Sequence, residues 1–118
     1  MADRVVELQP GAGRARWPSK SPDEILDYGL DWTRRLCTAA ELARLKAGEA
    51  VVPADTVAES TFTLPPGLIA DRASNSATVA GAWLSGGVDG MSYSVVNRIK
   101  TKAGRVMEQA VKLRVRAK

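Results

Sequence analysis

Apolar and polar positions alternate with period two over much of the chain's second half. Met91, Tyr93, Val95, Asn97 and Ile99 alternate with Ser92, Ser94, Val96, Arg98 and Lys100. Met107, Gln109, Val111, Leu113 and Val115 alternate with Glu108, Ala110, Lys112, Arg114 and Arg116. Successive side chains of a strand point to opposite faces, so each row predicts a strand with one face buried. The short Thr101-Lys102-Ala103-Gly104 link between them predicts an antiparallel hairpin. Leu26, Tyr28, Leu30 and Trp32, alternating with Asp27, Gly29 and Asp31, predict a further strand. Weaker strands are expected at about 56–64, 68–73 and 77–84, with breaks at Pro65-Pro66-Gly67, Asn75-Ser76 and Ser85-Gly86-Gly87. Short strands with frequent turns predict an all-β, immunoglobulin-like antiparallel β-sandwich over residues 23–118. Its expected core aromatics are Tyr28, Trp32, Phe62, Trp83 and Tyr93.

Two stretches break this pattern. Thr38-Ala39-Ala40-Glu41 is a capping box, Cys37 and Leu42 are spaced as a hydrophobic staple, and Gly48 can end a helix. A short inserted helix over residues 39–47 is therefore expected, with Leu42 and Leu45 as its small apolar face. Residues 1–22 hold Pro10, Gly11, Gly13, Pro18 and Pro22 and sustain neither period, which predicts an extended N-terminal arm. If such an arm is ordered, a neighbouring molecule orders it, with Val5, Val6, Leu8 and Trp17 as anchors; the alternative is an arm folded back on its own domain. On the first reading, deleting residues 1–20 leaves the domain folded and blocks its incorporation into an assembly.

Composition narrows the function. The 118 residues suffice for one domain, and no apolar run approaches the ~20 residues that span a bilayer, so no membrane contact is expected. The first residues carry Asp3, Arg4 and Glu7 and do not form a secretory signal. With one cysteine, Cys37, and no histidine, the sequence offers no disulfide, no usual zinc site and no histidine acid–base pair. Asp27 and Asp31 share one face of one strand, whereas carboxylate catalysis needs groups converging from separate elements. No enzyme, metal or cofactor is expected.

Charge is segregated: residues 1–22 sum to +2, residues 23–97 to −5 and residues 98–118 to +7. Lys112, Arg114, Arg116 and Lys118, at spacing two, place a basic ladder on one face of a strand. No aromatic interleaves with these charges, which favours a protein partner or a solvated edge strand over nucleic acid.

Four blocks carry a resemblance. Residues 21–32, with Leu26-Asp27-Tyr28 and Asp31-Trp32, are similar to the "DP-x-x-x-LDY-x-x-DW" opening of phage fiber-tail adaptor proteins. Asp55-Thr56-Val57 through Gly67-Leu68 resembles that family's "DTI-x-x-S-x-W-x-V-P-x-G-L" block, with Phe62 at the usual Trp. Trp83-Leu84-Ser85-Gly86-Gly87 through Tyr93, and Val96 and Asn97-Arg98-Ile99 through Gly104-Arg105, resemble two more. Together they cover about residues 21–115, and the segment from Leu36 to Ala54 looks longer than usual. The resemblance implies a virion structural protein of a tailed bacteriophage, assembled in the host cytoplasm. Such a protein joins the tail tube, nozzle or neck to tail fibers, with copies of itself in a ring. A capsid-decorating or neck-completion role would suit the same sandwich. The expected contact residues are Val5, Val6, Leu8 and Trp17 on the arm, Leu42 and Leu45 on the helix, and Lys112, Arg114 and Arg116 on the basic strand.

Overall fold

The computed structural model describes residues 4–10 and 13–118, so Gly11 of the arm lies outside the described residues. The elements in chain order are β1 (Val5–Glu7), β2 (Ala15–Arg16), β3 (Leu26–Asp31), α1 (Thr33–Leu36), α2 (Ala39–Lys46), β4 (Val57–Thr63), β5 (Leu68–Asn75), β6 (Val79–Gly86), β7 (Ser92–Thr101) and β8 (Val106–Arg114). The alternating rows become strands because their inward positions share one core. Tyr28 and Leu30 on β3, Ala80, Ala82 and Leu84 on β6, Val95 and Ile99 on β7, and Val111 and Leu113 on β8 are all buried there. Two four-stranded sheets result, ordered β1-β3-β6-β5 and β2-β8-β7-β4, and they make the expected all-β sandwich. β7 and β8 form the expected hairpin, with Gly104 supplying the φ of +95° at its turn.

The arm departs from expectation. Over its described residues it is laid along the domain's own two sheets. β1 runs parallel to β3, Val5 beside Gly29 and Glu7 beside Asp31. β2 runs parallel to β8, Ala15 beside Val111 and Arg16 beside Lys112, and Lys20 then bridges to Val115. The sandwich is thus not wholly antiparallel, and residues 4–10 and 13–22 belong to it. Leu8 and Trp17, expected as anchors on a neighbour, are buried in its core. Trp17 donates from Nε1 to the Gly29 carbonyl at 2.9 Å and packs its ring 5.0 Å from that of Tyr28. Two short strands supply few ladder bonds. The buried indole, with its polar end satisfied, supplies the apolar gain that offsets ordering a Pro- and Gly-rich segment.

A second difference from expectation lies on β6. Trp83, expected in the core, is 37% exposed on the outer face of β6. Ala80, Ala82 and Leu84 occupy the inward row, so period two sends residue 83 outward. Of the other expected core aromatics, Tyr28, Trp32 and Tyr93 are buried, and Phe62 packs partly buried against the core.

Two polar groups tie the layers together. Asn97 on β7 is fully buried. Its Oδ1 accepts from Trp32 Nε1 at 2.9 Å, and its Nδ2 donates to Ser60 Oγ and the Thr61 carbonyl, both at 3.0 Å. Because Trp32 directly follows β3, this bond spans the two sheets.

Lys20 is also fully buried. Its Nζ donates to the carbonyls of Ser21 at 2.8 Å and Gly86 at 2.6 Å, with Pro22 at 3.4 Å. Burial pushes its pKa down, while Glu24 and Asp23 oppose that shift. Gly86 has φ +83°, and a Cβ there would lie 2.7 Å from the Gly67 carbonyl oxygen, so only glycine can present this acceptor to Lys20. Lys20→Met keeps the stem and strands the carbonyls. We expect a loss of about 2–3 kcal/mol, read as a lower midpoint in urea unfolding; an unchanged midpoint would show the ammonium to be dispensable.

Candidate interaction surfaces

The outer face of the β2-β8-β7-β4 sheet has two chemically distinct halves. At one end charges of opposite sign face each other across the strands, with Arg98 opposite Glu108 and Lys100 opposite Glu59. At the other end the charge has one sign. Lys112 and Arg114 project outward from β8, and Arg116 continues the exposed row beyond it. Their cross-strand neighbours on β7 are Ser94 and Ser92. The neighbour of Lys112 on the other side is Arg16 of β2, with Arg14 lining the same shallow depression. Lys118 is not part of this row, since it pairs with Glu24 at 3.0 Å. The Ser21 N–H and Lys118 hold the Glu24 carboxyl down at about 2. β8 lies inside its sheet between β7 and β2, which removes the edge-strand explanation of its charges.

The outer face of the β1-β3-β6-β5 sheet is different. Gly29 and Gly81 stand opposite each other and open a trough lined by Val5, Val79, Ser74 and Trp83. Arg72 lies over the Trp83 ring, 4.7 Å from its centroid. On one rim, Arg4 donates to the Asp27 carbonyl and carboxylate, both at 2.8 Å. That contact is the leading cause holding the Asp27 carboxyl below its ordinary value. Val5 is exposed at this face and Val6 is half-buried, so of the four arm residues expected at a contact, Val5 is the exposed one.

Helix α2 forms almost where its capping box predicts. The Thr38 hydroxyl accepts from Glu41 N, and Glu41 Oε1 accepts from Thr38 N at 2.8 Å. Glu41 Oε2 also accepts from Ala54 N at 2.9 Å, so one carboxylate holds both ends of the insertion. None of the helix's residues is buried, and Leu42 and Leu45 are half-buried. An additional turn, α1, follows Asp31, whose Oδ1 accepts from Thr33 N at 2.9 Å and Thr33 Oγ1 at 2.6 Å. Asp27 and Asp31 are thus engaged in structural contacts. Desolvation, with Glu41 nearby, raises the pKa of the half-buried Cys37 thiol and makes it a poor nucleophile.

Sequence reasoning found the basic row and the helix but missed Arg14, Arg16 and the Trp83 trough. The available signal for Trp83 was the small-residue row Ala80, Ala82 beside it. For Arg14 and Arg16 no local signal exists, because their place follows from a pairing with residues almost a hundred positions away.

The fold and these surfaces define an all-β structural module whose distinctive chemistry lies on its outer faces. The family model of the podophage GP4 fiber-tail adaptor protein gp77 matches residues 20–114, and the chain belongs to that family of phage tail structural proteins. β1 and β2 precede the matched stretch. Comparison with curated proteins gave no match. No helix among the described residues is long and apolar enough to cross a membrane.

Proposed function

We propose that this protein is a non-catalytic adaptor in the virion that joins the tail or neck to the tail fibers by protein–protein contacts, with several copies arranged in a ring. The observation that carries this reading, beyond family membership, is the difference between the two outer faces. One is a single-signed basic surface around Lys112 and Arg114, the other an apolar trough around Val5 and Trp83. An adaptor needs two unlike surfaces so that each neighbour finds one of them, and specificity is a difference between such affinities. Leu42 and Leu45 on the weakly packed α2 offer a third contact, consistent with an insertion longer than the family's usual connection. Leu8 and Trp17 serve the core in this reading and contact no neighbour.

Particles made without this protein are expected to carry tails and lack fibers, and adding the purified protein back is expected to restore fiber attachment. Negative-stain images of both preparations check this. Fibers on the depleted particles would overturn the adaptor role. Label distributed over the head in hundreds of copies would favour capsid decoration instead.

A further inference from the structure

We infer that Arg14, Arg16, Lys112, Arg114 and Arg116 form one docking surface for a carboxylate-rich face of a different virion protein. This rests on the adaptor reading above and specifies the partner of one of its faces. Among the described residues none of these five cations forms an ion pair or a side-chain hydrogen bond, whereas Arg4, Arg34, Arg44 and Arg105 are each paired with a carboxylate. The contrast lies within a single sheet. β7 and β8 balance Arg98 against Glu108, then over the next turns of the same pleat offer only Ser94 and Ser92 to Lys112 and Arg114.

The fold adds to the imbalance. Parallel pairing sets Arg16 directly beside Lys112 at a strand spacing of about 4.8 Å, where like charges repel. A merely solvated face gains from mixing its signs, and this one concentrates a single sign on a rigid platform. Trp17 and Ala15, packed into or against the core, hold Arg16 in place, so little ordering remains to be done on binding.

The chain's own carboxylates do not supply the complement. Glu7, Glu24, Asp27, Glu49 and Asp55 are in ion pairs. Asp31, Glu41 and Asp89 accept from backbone N–H groups. Glu59 and Glu108 face Lys100 and Arg98 across the strands, which leaves among the described residues Asp23 before β3 and Asp71 on β5, on separate segments. Two dispersed carboxylates do not match five clustered cations, so the partner is a different chain. Four of the five cations are arginines, whose planar forks suit carboxylate pairs. The surface is a flat strand face with no projecting helix to enter a groove and no outward aromatic among these residues to stack on bases, which favours protein over nucleic acid.

The test uses the full chain with Lys112→Glu/Arg114→Glu and, separately, Arg14→Glu/Arg16→Glu, and Lys112→Gln/Arg114→Gln as a milder control. All positions are exposed, so wild-type melting is expected. Labelled poly-L-glutamate and a 20-base-pair DNA duplex serve as probes at 50 and 150 mM salt. Poly-L-glutamate affinity should fall about tenfold or more for each reversal, and the duplex should bind more weakly than poly-L-glutamate at 150 mM. In particles, Lys112→Glu/Arg114→Glu should block incorporation. An acidic-to-basic change in another virion protein should restore it. Tighter duplex binding at 150 mM would overturn the inference in favour of nucleic acid. Normal incorporation of both reversals would overturn it while leaving the adaptor role standing, whereas fibers on protein-depleted particles would remove the adaptor role itself.

Discussion

Removing residues 1–20 should leave a chain with no cooperative unfolding transition at room temperature. The truncation takes Leu8, Trp17 and Lys20 out of the buried set, and it strips the outer neighbours from β3 and β8. Trp17→Ala alone should cost about 3–5 kcal/mol, comparable to the whole stability of a small domain, which is ~5–15 kcal/mol. Trp17→Phe separates the two parts of that loss. It retains most of the apolar volume and gives up the Nε1 bond to the Gly29 carbonyl, so it should cost distinctly less. Thermal melts followed by near- and far-ultraviolet circular dichroism read all three. A truncated chain that melts like the full one would show these contacts to be dispensable. The sequence alone predicts the opposite outcome, a domain indifferent to losing its arm, and the buried indole is what reverses it.

The second large effect is expected at Asn97. Asn97→Leu keeps the branched shape of the side chain yet leaves the buried Trp32 Nε1 without an acceptor and the Thr61 carbonyl and Ser60 hydroxyl without their donor. The orphaned buried indole N–H costs about 1–3 kcal/mol and the half-buried Ser60 and exposed Thr61 add less, so a loss of about 2–3 kcal/mol is expected. The double variant Asn97→Leu/Trp32→Phe should recover part of it, because removing both partners is milder than removing one. Additive losses would mean that the bond across the sandwich contributes no coupling. Trp32 fluorescence offers a second readout, since a change in the indole's hydrogen bond shifts its emission.

Much of this architecture is readable one residue at a time, and the boundary of legibility is physical. β3, β7 and β8 are readable because half-burial imposes period two, and α2 because its capping box is local chemistry. Lys112 and Arg114 fall on one face for the same reason. What escapes is whatever depends on pairing over long separations. Trp17 is buried and Trp83 lies on the outer face, the reverse of what the local pattern predicts. The inward row of Ala80, Ala82 and Leu84 and the docking of β2 on β8 set these two places. Strands of three and two residues, such as β1 and β2, are too short to show any period. Lys20 reads as a surface cation until Gly86 brings a carbonyl 2.6 Å from its Nζ. The partner surface is half legible in the same way: its β8 half follows from alternation, and its arm half becomes visible once Arg16 is placed beside Lys112.

The pairing of β2 with β8 joins the second strand of the sandwich to its eighth, with the rest of the fold between them in the chain. During synthesis the β2 segment must wait, its indole unsheltered, until β8 has emerged. Closure of the sandwich therefore waits on β8: a chain cut short before that strand leaves Trp17 without the ladder that holds its segment in place.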